Sequence, residues 1–308
     1  MPASPRRARA AAAVGALFTA AAVLLTGCGG GDNSSGRTAA PTALGSPPDP
    51  GFGHVHGLGV NPGDGAVYAA THYGVFRLPT PGGDGAAEPV RIADRWQDTM
   101  GFTVAGADLF YGSGHPDLRE PGPPHLGLIV SRDRAETWQG VSLAGAADFH
   151  DLAVVGERIY GYDATSQQLL ASGDGGQTWD KRAEAAIRDV TVDPGDPDTV
   201  LATTPDGVQV STDAGAVFRR VPGAPQLLTV DWSTKVLAGA DVSGTVWVAS
   251  AARPDGRWQE RGRLSGPPQA FTVAPDGRLL AADDKGVQVS EDGGRTWTLL
   301  AAYGGEQH

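Results

Sequence analysis

The chain has 308 residues, 45 of them glycine and 23 proline, and a formal net charge of −11 at pH 7. That acidic balance argues against nucleic acid and against anionic headgroups as partners of the folded part. One cysteine in the whole chain excludes an intramolecular disulfide.

The N-terminus reads as an address. Arg6, Arg7 and Arg9 precede an apolar run from Ala10 to Leu25, followed by Leu25-Thr26-Gly27-Cys28. A positive start, a short apolar stretch and small residues before a cysteine make a secretory signal over 1–27. The apolar run is too short to span a bilayer comfortably, and the Arg6-Arg7 pair fits twin-arginine export poorly. Leu25-Thr26-Gly27-Cys28 resembles the bacterial lipobox. That resemblance implies lipidation of Cys28 and anchoring in the lipid bilayer, on the extracytoplasmic face of the cytoplasmic membrane. Removal of the leader takes away three arginines and no acid, moving the formal charge from −11 to −14. Residues 28–51 are rich in Gly, Ser, Pro and Ala, cannot bury a core, and read as a flexible tether.

From residue 52 to 303 short apolar runs alternate with turn-formers, and no long amphipathic helix is evident. Six runs begin with a short strand ending in Val and continue through a turn to an apolar strand: Val55–Val60, Thr99–Val104, Phe149–Val154, Ile187–Val192, Pro225–Val230 and Pro268–Val273. Turns such as Asn61-Pro62-Gly63-Asp64-Gly65 and Pro275-Asp276-Gly277 are rich in hairpin formers. Six starts at about 42 residues each match four-stranded blades. The fold expected is all-β, a six-bladed β-propeller, with 304–308 as a short tail. Blades begin near 52, 97, 146, 185, 224 and 266, and Thr296–Ala301 forms the last strand. No spare strand is visible for closing the ring by exchange.

A second repeat lies within the first. Ser131–Trp138, Ser172–Trp179, Ser211–Phe218 and Ser290–Trp297 share a Ser-x-Asp-x-Gly-x-Thr-Trp pattern. The copies at 172 and 290 match in full, Ser131–Trp138 lacks the Gly, and Ser211–Phe218 lacks Thr and Trp. Asp133, Asp174, Asp213 and Asp292 are placed to accept backbone hydrogen bonds within a turn, while Trp179 and Trp297 bury an indole between sheets. The pattern resembles the Asp-box, or bacterial neuraminidase repeat, of sialidase-like propellers. In that geometry these turns join strands three and four on one face. Chemistry belongs to the other face, around the central channel.

Aligning the six starts gives one register. Its second position reads His56, Met100, His150, Arg188, Gln226 and Gln269, and two residues earlier stand His54, Asp98 and Asp148. Period-two spacing puts both sets on one side of their strands. His72 ends the second strand of the first blade. His115 and His125 lie in a Pro-rich stretch, Gly112–Leu126, read as the loop between strands two and three of the second blade. Six of the seven histidines thus fall on one rim, and His308 ends the chain. Strand starts beside a water-filled channel are allowed to be polar without being a site. Imidazole, thioether and carboxylate together also make a transition-metal set, with His54, His56, His72, His115 and His150 as ligands. His with Met favours Cu, and His with Asp favours Zn or iron.

Two other readings compete. Sialidases clamp a substrate carboxylate with three arginines, and use a Tyr nucleophile paired with Glu and an acid/base Asp. Phe76-Arg77-Leu78-Pro79 resembles their first arginine motif, yet it falls on a third strand. In this register only Arg188 is an arginine facing the channel. Asp98, Asp148 and Arg188 are then the catalytic candidates of a glycoside hydrolase acting on extracellular glycans, with Tyr160 or Tyr162 near the rim. Asp-box propellers also resemble protein-docking and assembly scaffolds. Finally, His54-Val55-His56-Gly57-Leu58, Thr71-His72, Met100-Gly101-Phe102, Ser113-Gly114-His115-Pro116 and Asp148-Phe149-His150 resemble a group of bacterial propeller lipoproteins that are glycosylhydrolase-like by fold. The leading expectation is a membrane-anchored propeller binding a small ligand, glycan or metal at its His-rich rim.

Overall fold

The computed structural model describes residues 49–80, 88–251, 254 and 256–303. The leader, Cys28, nearly all of the tether, the tail 304–308 and His308 lie outside the described residues. The described chain is all-β, in six four-stranded antiparallel sheets, each made of four consecutive strands.

The first sheet holds β1 (Val55–Val60), β2 (Val67–Thr71), β3 (Gly74–Arg77) and β4 (Val90–Arg91). The second holds β5 (Asp98–Gly106), β6 (Leu109–His115), β7 (Leu128–Ser131) and β8 (Gln139–Ser142). The third holds β9 (Phe149–Val155), β10 (Arg158–Asp163), β11 (Gln168–Ser172) and β12 (Asp180–Glu184). Next come β13 (Asp189–Asp193), β14 (Asp196–Thr204), β15 (Gly207–Ser211) and β16 (Arg219–Arg220). The fifth holds β17 (Leu227–Trp232), β18 (Val236–Asp241), β19 (Thr245–Ser250) and β20 (Gln259–Arg263). The last holds β21 (Ala270–Val273), β22 (Leu279–Asp283), β23 (Gly286–Ser290) and β24 (Thr298–Ala302). The first strands β1, β5, β9, β13, β17 and β21 touch one another in succession, and β21 returns to β1. This is a six-bladed β-propeller, its inner strands lining a channel.

The apolar side chains explain the architecture. Middle strands such as β2, β11 and β22 are buried at every position, because both faces of each sheet are covered by neighbouring blades. Strands buried on both faces read as continuous apolar runs rather than alternation. The core accordingly divides into clusters between adjacent blades: Tyr68, Phe102 and Phe110 between the first and second, for example, and Tyr160, Leu169 and Val200 between the third and fourth. Blades approach closely at Gly101, where a Cβ would stand 2.6 Å from the carbonyl oxygen of Phe149. Only a bare Cα lets β5 and β9 meet there.

The ring closes by packing, with every strand kept in its own blade. Phe52, Val55 and Phe76 share a cluster with Leu280 and Val287, and the rings of Phe52 and Tyr303 stack at 5.6 Å.

The four Ser-x-Asp turns join third and fourth strands, as their position in the repeat requires. In each, the Ser Oγ hydrogen-bonds the Asp Oδ1 at 2.6–2.9 Å. Backbone N–H groups of Thr137, Thr178, Val217 and Thr296 donate to the same carboxylates at 2.9–3.0 Å. These bonds outweigh a desolvation that opposes them and hold Asp133 below the usual carboxylate range. At Asp174 they dominate and pull the carboxyl down to about 2. Trp179 packs against Phe149 at 4.9 Å between ring centroids and donates its Nε1–H to Ser142 Oγ at 2.9 Å.

Three boundaries differ from the sequence reading. β6 runs on to His115, so that residue ends a strand rather than lying in a loop. The last strand is Thr298–Ala302 rather than Thr296–Ala301. β17 continues past Val230 to Trp232, so the register drawn through its Val is two residues out.

Candidate functional site

The rim opposite the Ser-x-Asp turns gathers side chains from three consecutive blades. Asp98 and His115 are paired residues of β5 and β6, which sets carboxylate and imidazole side by side through sheet register alone. The residues His56, Met100 and His150 each sit in a bulge of their inner strand. A bulge turns a side chain out of the regular alternation, a common device at sites. His72 occupies the β2–β3 turn, which Thr71 pins by donating its hydroxyl to Gly74 O at 2.9 Å and accepting the N–H of Tyr73 at 3.0 Å. His125 belongs to the segment between β6 and β7. The Leu126 N–H donates to Gly114 O and the Gly145 N–H to His125 O, both at 2.8 Å, and these bonds bring His125 beside His115.

Two groups result. In the first, His56 Nε2 and His72 Nδ1 face each other at 3.0 Å. The same atoms lie 3.4 and 3.1 Å from Asp98 Oδ1. In the second, His115 Nε2 and His125 Nδ1 stand 3.5 and 3.6 Å from Asp148 Oδ2. His115 also reaches the first group, its Nδ1 lying 3.3 Å from Asp98 Oδ2. His150 Nε2 hydrogen-bonds Asp148 Oδ2 at 3.1 Å, and His54 stacks on His72 with centroids 5.4 Å apart. Within His56, His72 and Asp98, and within His115, His125 and Asp148, one ligand atom per residue lies within 4.8 Å of the others.

The electrostatics suit cation binding. Burial pushes the His54 imidazole down to about 4, helped by neighbouring His56 and His72, and burial likewise lowers His56. Both are therefore neutral at pH 7, with ring lone pairs available. Burial opposes ionisation of Asp98, but hydrogen bonds and charge from His56 and His72 win and hold it low. Asp148 is likewise held low against desolvation, by His150 and then by His115 and His125. Asp148 is only 5% exposed, and neither its Oδ1 nor His125 Nδ1 has a hydrogen-bond partner among the described residues. Buried polar atoms left unpaired in a polar cluster are costly unless something else satisfies them.

Behind the rim, a cavity of about 90 Å³ is lined by all six inner strands, among them His56, His150, Arg188 and Gln269. Sequence reasoning missed its floor. Asp151 and Asp189 lie against one another there, and burial first, then their mutual proximity, pushes the Asp189 carboxyl well up. Their oxygens also accept the backbone N–H of Val190 and Val230 in the next blade, while Asp231 accepts from Val273 N and Thr272 Oγ1 at 2.7 Å. An Asp at the third register position of two successive blades, Asp151 and Asp189, was the available signal. The other half of the channel is lined largely by Val, Ala and Pro and encloses about 310 Å³.

The remaining expected residues separate from the groups. Met100 is half-buried in its bulge. Gln226 stands at the position of Asp98 and Asp148, not of His56, and gives its Nε2 to the backbone oxygen of Thr204 at 2.8 Å. Gln269 accepts from Tyr303 Oη at 2.6 Å. Arg188 is the one arginine lining the cavity among the described residues, and Arg77 lies 4.0 Å from Asp64 on a blade flank. Tyr160 is fully buried and donates its hydroxyl to Pro197 O at 2.7 Å, which removes it from the rim. No arginine triad is assembled among these residues.

No family model matches this chain, and no curated protein matches it. Solved structures do. A GH74 xyloglucanase from Xanthomonas campestris aligns over 80% of this chain at 21% identity with a TM-score of 0.51. A GH74 enzyme from Niastella koreensis aligns over 80% at 18% identity with a TM-score of 0.52. This chain spans 45% of the length of each. A chain of a nidogen/laminin complex gives a TM-score of 0.58 at 13% identity, over 77% of this chain and 93% of that one. At such identities the likeness is one of fold, the β-propeller, shared by glycoside hydrolases and protein-binding domains.

Proposed function

We propose that this protein is an extracytoplasmic propeller lipoprotein, held at the membrane by Cys28, whose rim binds a transition-metal ion. The observation that carries the reading is the spacing of the donor atoms. On a tetrahedral ion with bonds of about 2.0–2.1 Å, ligand atoms stand roughly 3.3–3.4 Å apart. The separations 3.0, 3.1 and 3.4 Å in the first group and 3.5 and 3.6 Å in the second bracket that edge. At 3.5 and 3.6 Å the second group lies at or beyond the limit of a useful hydrogen bond, so its spacing suits ligation better than mutual pairing. Nitrogen and carboxylate donors suit Zn or Cu. Three protein ligands leave a fourth position open to a small ligand.

The leader supports the location, and the Asp-box turns support kinship with sialidase-like propellers. A glycoside hydrolase reading draws on the GH74 fold alone, and its sialidase-like form lacks support because, among the described residues, Arg188 has no companion arginine lining the cavity. Elemental analysis of the untagged chain, purified without chelators, tests the metal reading. Stoichiometric Zn or Cu that disappears in a His72→Ala/His125→Ala variant is the expected result. A metal content equal in the two proteins overturns it.

A further inference from the structure

We infer that the rim holds two metal ions per chain, one in each group, and that His115 ligates one ion while hydrogen-bonding the carboxylate ligand of the other. This rests on the metal-binding reading above and adds number, placement and linkage to it.

The two groups share no residue, yet they are built alike. His56 and His72 come from the first blade and meet Asp98 at the start of the second. His115 and His125 come from the second blade and meet Asp148 just before the inner strand of the third. Each site is thus two imidazoles of one blade closed by the first-position carboxylate of the next. The propeller rotation carries His72 onto His115 and Asp98 onto Asp148; the counterpart of His56 in the second blade is Met100, and His125 from the segment between β6 and β7 supplies the second imidazole instead. The series stops there because the position of Asp98 and Asp148 in the later blades holds Ala186, Gln226 and Pro267, none of them a carboxylate.

His115 connects the copies. With Nε2 committed beside Asp148 at 3.5 Å, its remaining proton sits on Nδ1, 3.3 Å from Asp98 Oδ2. A ligating imidazole commonly donates its other N–H to a carboxylate, which fixes the tautomer and raises ligand basicity. Here that carboxylate keeps its second oxygen, Oδ1, turned to His56 and His72. Asp98 therefore serves both ions, one directly and one through His115. His150 supports Asp148 from a hydrogen bond of 3.1 Å, an outer partner of the second site.

Zinc titration of the full untagged chain by calorimetry, checked by elemental analysis, tests this. Wild type binds two ions per chain, while His72→Ala and His125→Ala each bind one. Asp98→Ala also binds one, and its surviving site is weakened by about 10–100-fold relative to that of His72→Ala, the usual cost of losing an outer-shell partner. Asp98→Asn keeps an acceptor oxygen and loses less affinity at that site than Asp98→Ala, which separates the linkage from a folding defect. One ion per chain in wild type overturns the pair while the metal reading stands. No bound ion overturns both. Two ions with equal affinity of the surviving site in Asp98→Ala and His72→Ala overturns the role of His115.

Discussion

The side-chain oxygen of Gln269 accepts the backbone N–H of Val55 at 3.1 Å, joining the last blade to the first across the point where the ring closes. Val55 is fully buried, so its N–H has no access to bulk water. Replacing Gln269 with Ala leaves that donor unsatisfied, a loss of about 1–3 kcal/mol. Urea unfolding monitored by tryptophan fluorescence measures it. An unchanged midpoint would mean that apolar packing of Phe52 and Val55 against Leu280 closes the ring unaided.

Gly101 sets the distance between the second and third blades, and so between Asp98 and Asp148. A methyl group there meets the Phe149 carbonyl at 2.6 Å. Gly101→Ala is therefore expected to cost about 1–3 kcal/mol through overpacking, and to weaken zinc binding at the rim. Chemical denaturation and calorimetry on the same sample give both values. Lost stability with unaltered affinity would separate the blade spacing from the site.

The Asp174 carboxyl, pulled down to about 2 by hydrogen bonds from Thr178 and Ser172, sets a direction for acid stability. A carboxylate depressed in the folded state adds stability above its unfolded value near 3.9 and loses it as pH falls through the folded value. The turn should therefore hold at pH 5 and weaken between about pH 4 and 2. Thermal melts of wild type and Asp174→Asn across this range should converge at the acid end. A constant difference would contradict the assignment.

The Asp151–Asp189 pair works in the opposite sense. Burial raises both carboxyls, so the folded protein binds protons more tightly than the unfolded chain, and stability declines as pH rises through the elevated range. Asp189→Asn can still accept from Val230 N while its amide donates to Asp151. It is expected to raise the melting temperature at pH 7 and to flatten the slope between about pH 4 and 7. A lower melting temperature at pH 7 would argue that the pair is ionised and held by the channel.

Much of this fold is legible in the sequence because blades repeat. The Ser-x-Asp turns recur at third-to-fourth strand junctions, and five of the six Val-terminated runs fall in a common register. Gln226 was misplaced because β17 runs two residues beyond its Val, an extension that Asp231-Trp232 does not announce. The convergence of His54, His56, His72, His115, His125 and His150 could be read from blade geometry. Their division into two groups could not, since it depends on bulges at His56 and His150 and on backbone bonds that turn His125 back towards His115. Asp151 and Asp189 escaped notice because attention to the second strand position passed over the residue beside it.

Anomalous diffraction from crystals grown with zinc is the most direct test of the rim. The account predicts density peaks among His115, His125 and Asp148 and among His56, His72 and Asp98, with ring nitrogens about 2.0–2.1 Å from each ion. A rim without anomalous signal, in crystals where zinc is bound only elsewhere on the surface, would contradict it.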